Sequence, residues 1–182
     1  DEIELAEPVK DGHYFAGWFS EPEFETMVLT IPAGTSQDVT VYAKWLPSYD
    51  IGDTGPASGK IVFENEDYDY RTDDNNWKYL EAAPADFEKT YFWSDAVSES
   101  EAALYGGFDD WYLPFIDELN AMFNTKTEAD GFGVSLYWSQ TEVERSGSVS
   151  DQAYAQHFGP EGTQLPQLKN FVQLRVRPIR KF

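Results

Sequence analysis

The chain contains no cysteine, which excludes disulfides, thiolate metal sites and thiol nucleophiles together, while leaving the cellular compartment open. Histidine is nearly absent, at two residues. His13 and His157 have neither H-E-x-x-H nor G-x-S-x-G company, so neither belongs to a recognisable catalytic constellation. No apolar run approaches the roughly 18 residues a membrane helix needs. No signal peptide is visible, which reads as a cytosolic protein or a mature fragment. Bases are scarce as well: 13 Lys and Arg stand against 33 Asp and Glu, for a net charge of −20. That field repels nucleic-acid phosphates and anionic membrane surfaces, so neither nucleic acid nor membrane insertion is expected of this chain. The plain reading of such a charge is solubility, and the sharper one is divalent cation binding.

What the chain has in quantity is aromatic residues, with six Trp, eleven Tyr and thirteen Phe. Disordered chains are poor in these. Without disulfides, aromatic burial is the means by which a small domain holds together. A length of 182 residues allows one or two domains.

The first segment ends near Trp45. Val39 to Trp45 alternates, with Val39, Val41, Ala43 and Trp45 on one face, which predicts a half-buried strand. Gly12 to Phe19 is a second strand, with Gly17 as a bulge or close-packing site. Ile31 to Ser36 is turn material. The runs Gly12-His13-Tyr14-Phe15-Ala16-Gly17-Trp18-Phe19, Glu21-Pro22-Glu23-Phe24 and Val41-Tyr42-Ala43-Lys44-Trp45 together resemble the Listeria–Bacteroides repeat, the internalin B-type repeat. The likeness covers residues 8–46 and departs at His13, where the family carries Tyr; the family's opening strand is missing, so the copy reads as incomplete. The resemblance implies a small β-grasp-like module used as a stalk, spacer or adhesive element on bacterial surface proteins.

Residues 46–59 are rich in Pro, Gly and Ser and read as a linker. Beyond them, strands are expected at Lys60–Glu64, Trp77–Ala82, Ser135–Ser139, Ala153–Phe158 and Phe171–Ile179. Helices are expected at Ser94–Leu104 and Pro114–Phe123, the second with Ile116, Leu119, Met122 and Phe123 on one side. Strands interspersed with two helices make an α+β domain. The chain thus reads as two domains, 1–47 and 48–182.

Five ordered motifs carry a second resemblance. They are Thr54 to Phe63, Tyr79-Leu80-Glu81-Ala82-Ala83-Pro84, Gly106 to Leu119, Tyr137 to Glu142 and Val176 to Phe182. Together they are similar to the family named for the C-terminal domain of the Legionella collagen-like adhesin, a domain of unknown function. That resemblance implies a C-type lectin-like, sulfatase-modifying-factor-like fold with a twisted antiparallel sheet and two flanking helices. Phe115 departs from it, standing where the family has the Ser or Thr of a capping box with Glu118. Loss of such a cap costs about 1 kcal/mol, so Phe115 is expected to gain by packing.

Candidate site residues divide by chemistry. Asp67, Asp69, Asp73 and Asp74 supply the oxygens a calcium ion takes, but without EF-hand spacing, so calcium is an open possibility and a solvated loop the plainer one. Asp109 and Asp110 form an acidic pair whose adjacent residues point to opposite faces, which suits them poorly to acid–base chemistry. One of them is expected to pair with Arg175, Arg177 or Arg180, on a tail that carries four bases in its last eight residues. Structural roles are thus assigned to Asp109, Asp110, Trp111, Leu113, Pro114, Glu118, Trp138, Arg177 and Arg180, and no catalytic or cofactor-binding residue is assigned.

The absence of Cys excludes the copper chemistry of sulfatase-modifying factors. The E-P-N, Q-P-D and W-N-D triplets of calcium-dependent lectins do not occur. The reading is a non-enzymatic binding or adhesion module of a bacterial cell-surface or secreted protein, with a glycan or host protein as partner. A purely structural stalk or tip is the alternative, and an enzyme of unrecognised type the third. For a glycan binder, an exposed aromatic cluster is expected from the loops at 64–76 and 140–152. Polyanionic glycosaminoglycans are disfavoured by the charge, unless the Arg175–Lys181 run reverses it locally.

Overall fold

Tyr79-Leu80-Glu81-Ala82 is buried along its whole length, and much of the second half of the chain is built around it. A computed structural model describes residues 1–72, 77–144 and 150–182. Asp73, Asp74 and residues 145–149 lie outside the described residues. The chain divides into two compact units, one of Asp1–Tyr49 with Glu66–Asn76, the other of Asp50–Asn65 with Trp77–Phe182.

In the first unit, β1 (Ile3–Glu4) pairs antiparallel with β3 (Thr30–Ile31), and β2 (His13–Phe19) with β4 (Tyr42–Pro47). The β2–β4 register slips between Phe15 and Trp18, where Gly17 has φ +115. A side chain there would meet Tyr70 Cδ2 at 3.1 Å, so both expected functions of Gly17, bulge and close approach, are realised. Phe15, Ala16 and Phe19 form the buried face. The Phe15 ring meets Trp18, Trp45 and Tyr70 edge-on at 5.3, 5.5 and 5.2 Å. Tyr68 meets Tyr14 in the same manner at 5.3 Å.

Three readings of this unit need correction. The opening strand is present as β1; a two-residue strand has too little pattern to be read. The strand expected from Val39 begins at Tyr42, and Val39 is exposed. The loop at 64–76, expected to expose aromatics, instead carries Tyr68 and Tyr70 into aromatic contacts.

The second unit is α+β, with antiparallel sheets and two helices. Its first sheet runs β10 (Ile179–Lys181), β6 (Tyr79–Ala82), β5 (Lys60–Glu64). Its second runs β7 (Leu136–Glu142), β8 (Gln152–His157), β9 (Gln164–Leu168). Helix α1 (Trp93–Glu101) lies on β7, and α2 (Ile116–Thr125) on β5, β7 and β8. Leu119 and Met122 of α2 are fully buried with Val62, Leu80, Tyr137 and Ile179, while Ile116 and Phe123 flank them, as their spacing predicts. Leu113 and Trp138 sit in a second cluster with Ala96, and Trp111 in a third with Ala57 and Ala103.

The strand expected over Phe171–Ile179 is not continuous. Leu174 bridges Tyr91, Arg175 bridges Tyr137 in parallel, and only Ile179–Lys181 enters a sheet. The run changes partners along its length, and Pro178 has no N–H to donate to a ladder. Strand β9 escaped the sequence reading because Pro166 argues against a strand; it lies at the sheet edge, where Pro is tolerated.

Candidate functional site

The motif residues converge on two buried ionic nodes in the second unit. At the first, Glu81 is 0% exposed. Its Oε1 accepts the backbone N–H groups of Ala57 and Gly59 at 2.9 and 2.8 Å, and its Oε2 accepts Arg180 Nη1 at 3.2 Å. Arg180 also donates from Nε and Nη2 to both oxygens of Asp110, at 2.7 and 2.9 Å. Its guanidinium lies 4.0 Å from the Phe108 ring centroid and 4.9 Å from that of Phe182. Burial lowers the Arg180 pKa, but the hydrogen bonds and charges of Asp110 and Glu81 together outweigh it, so the group is held charged more firmly than usual.

The glycines of this node are set by contact. A Cβ at Gly55 would fall 2.5 Å from Glu81 Cδ, one at Gly59 would fall 2.0 Å from the Ala82 carbonyl oxygen, and one at Gly106 would fall 2.5 Å from Ala57 Cα. Gly55, Gly59 and Gly106 are therefore glycines because the Gly-Pro-Ala-Ser-Gly loop presses on Glu81, Ala82 and the Gly106 turn, while Gly107 is set by its positive φ of +86.

At the second node, Asp86 accepts Arg177 Nε at 2.7 Å, Arg175 Nη1 at 3.2 Å and the Tyr137 hydroxyl. Arg177, 4% exposed, also donates to the carbonyls of Ala83 and Asp130 and stacks 4.1 Å from Phe132. Burial, then the Asp86 hydrogen bond, pushes the Tyr137 hydroxyl up, which keeps it a donor.

The remaining assigned residues are structural in detail. Both members of the acidic pair are exposed, and Asp110 is the one that meets an arginine. The indole N–H of Trp111 donates to Phe108 O at 3.0 Å, and that of Trp138 to Tyr91 O at 2.8 Å. Leu113 and Pro114 are buried, and the Pro114 carbonyl accepts Gln140 N at 2.8 Å. Glu118 accepts the Tyr112 hydroxyl and Phe115 N at 2.9 Å each and pairs with Lys181 at 3.0 Å. Phe115 is 46% exposed and meets Tyr112 at 6.4 Å, so packing does not replace its missing hydroxyl. Thr141 of β7 does, accepting Ile116 N at 2.9 Å.

Of the acidic loop, Asp69 accepts the amide and guanidinium of Arg71, and Asp73 and Asp74 lie outside the described residues. Among the described residues, no group of three or more His, Asp or Glu could hold a metal ion. His13 Nδ1 bonds Asp11 O at 2.9 Å, and His157 Nδ1 accepts Gly159 N at 3.0 Å. In the basic tail Arg177 and Arg180 are buried and paired, Lys181 is held by Glu118, and the more exposed Arg175 pairs with Asp86.

Among the described residues, two concavities stand out. A polar cleft of about 190 Å³ is lined by Asp53, Ser58, Lys60, Asp130 and Arg177 among others. Its lysine donates to Asp130 at 2.7 Å and to the Thr125 carbonyl, so its charges face one another. Burial raises the Asp130 pKa, but the Lys60 and Thr127 hydrogen bonds outweigh it and hold the carboxyl below its usual value. A largely apolar cleft of about 300 Å³ is floored by Phe63, Trp77, Leu80 and Ala121. The aromatics within the 64–76 loop are Tyr68 and Tyr70, which are engaged in the first unit; flanking that loop, Phe63 is exposed and Trp77 is half-buried, and both line the apolar cleft.

Sequence reading missed Glu81, Asp86, Thr141 and the Phe63–Trp77 pair. A glutamate within the apolar run Tyr79-Leu80-Glu81-Ala82-Ala83 is itself a signal, because an unpaired carboxylate does not survive full burial.

No helix among the described residues is long and apolar enough to cross a membrane. No curated protein matches the chain. Residues 2–44, which take in β1, β2, β3 and the start of β4, match the family model of the Listeria-Bacteroides repeat domain, a repeat found in bacterial surface proteins.

Proposed function

We propose that this chain is a non-enzymatic binding module of a bacterial cell-surface or secreted protein, in which a β-grasp-like repeat accompanies a C-type lectin-like domain of the collagen-like adhesin C-terminal family. The observation that carries the binding role is the apolar cleft at Phe63 and Trp77, where aromatic surface stands open beside carboxylates. The repeat match at residues 2–44 supports the surface location. The arginines and carboxylates that a catalytic reading would recruit are spent on one another at the two nodes, which supports a scaffold role for the motif residues. The test is a panel of immobilised glycans and extracellular-matrix proteins probed with the full chain. Saturable binding to at least one member is the expected result. Silence across the panel would leave the structural stalk or tip as the reading.

A further inference from the structure

We propose that the cleft between Phe63 and Trp77 receives an uncharged pyranose ring, which rests its C–H face on the two aromatics and donates a hydroxyl to Asp117. This rests on the binding-module reading above and gives it a site and a ligand class.

The cleft is built rather than incidental. Phe63 belongs to β5, whose Ile61 and Val62 are 0% and 2% exposed, yet Phe63 itself is 40% exposed. The β5–β6 register shifts between Ile61 and Phe63, and such an irregularity re-aims a side chain out of the sheet. The ring it presents lies 6.2 Å from that of Trp77 at 42°, a tilted platform rather than a closed stack. Trp77 is fixed on two sides, by Asn65 Nδ2 donating to its carbonyl at 2.9 Å and by Lys181 Nζ lying 4.9 Å from its ring. A volume of about 300 Å³ admits one sugar ring with its neighbours in solvent.

The polar groups select the ligand. Asp117 and Glu118 stand at the rim, and a carboxylate only accepts. Glu118 is committed to Tyr112, Phe115 and Lys181. Asp117 is exposed in the first turn of α2 and has oxygens that can accept a hydroxyl. The nearby cations are answered already, Lys181 by Glu118 and Lys78 by Glu64 at 2.8 Å. A sulfated or carboxylated sugar would therefore bring its charge to a rim with an excess negative charge, inside a chain of net charge −20. An apolar floor with a hydroxyl acceptor suits a neutral sugar.

The test uses the full chain and calorimetric titration with cellohexaose, laminarihexaose, mannohexaose and chitohexaose, beside a heparin hexasaccharide and a decalysine peptide. At least one uncharged saccharide should bind. Phe63→Ala should weaken it tenfold or more and Asp117→Asn severalfold, while Phe171→Ala, at a 79% exposed ring elsewhere, should change nothing. Circular dichroism confirms that each variant is folded. The assignment is overturned if no uncharged saccharide binds, if binding survives Phe63→Ala, or if heparin or decalysine alone is bound at Phe63. If these titrations fail while the panel of glycans and matrix proteins finds a ligand, the sugar assignment falls and the binding module stands. If both are silent, both fall.

Discussion

Replacing Glu81 tests whether the first ionic node holds the second unit together. Glu81→Ala removes the acceptor of two buried backbone amides, those of Ala57 and Gly59. A buried donor left without an acceptor costs about 1–3 kcal/mol, so the pair gives about 4 kcal/mol. Arg180 loses the Glu81 acceptor of its Nη1, but Asp110 still takes both its Nε and Nη2, so less is added on that side. Glu81→Gln keeps a carbonyl oxygen for the amides but loses the charge assistance, and about half the penalty is expected. With a urea slope of about 2 kcal/mol/M, the unfolding midpoint should fall by about 2 M for the alanine and about 1 M for the glutamine variant. Amide hydrogen exchange at Ala57 and Gly59 supplies a readout specific to this loop, and both protons should lose protection in Glu81→Ala. Equal and small midpoint shifts in the two variants, with exchange unchanged, would show that water replaces the carboxylate at no cost and would refute the reasoning.

Gly17→Ala should destabilise the first unit by about 2 kcal/mol, since positive φ strains a residue with a Cβ by about 1–3 kcal/mol and the Tyr70 ring would have to shift slightly to admit it; exchange should quicken at Trp18 and Ala43 and not along β6. Thr141→Val should cost about 1 kcal/mol and quicken exchange at Ile116, whose N–H loses its acceptor. The Asp130 carboxyl is depressed below its ordinary value of 3.8 in the folded chain, so its contribution is complete above that pH and disappears as pH falls through the folded value. Asp130→Asn should therefore lower stability at neutral pH and flatten its decline below about pH 4, as followed by thermal melts across pH 2–7.

How much was legible in the sequence depended on how far each contact reaches along the chain. Lys60–Glu64 and the buried face of α2 were readable because hydrophobic period is a local signal. That Asp109 or Asp110 pairs with one of Arg175, Arg177 and Arg180 is legible because charges inside an apolar tail demand partners, but which two meet is not. The role of Glu81 is not legible, since its partners are backbone amides 24 and 22 residues away that no residue type advertises. Thr141 caps α2 from 25 residues beyond it, so the helix start looked uncapped. The outward turn of Phe63 comes from a slip in strand register, which composition does not encode.

The first unit is not one continuous length of chain, because Glu66–Asn76 belongs to it although the segment lies between β5 and β6. During synthesis, Phe15 leaves the ribosome well before Tyr70, its ring partner. The N-terminal unit therefore closes its aromatic core only after β5 has been made, against the usual order in which the first domain finishes first. A module cut at residue 49 for grafting elsewhere would leave that core open, and the transferable piece of this protein extends at least through Arg71, which pairs with Glu7 at 2.6 Å.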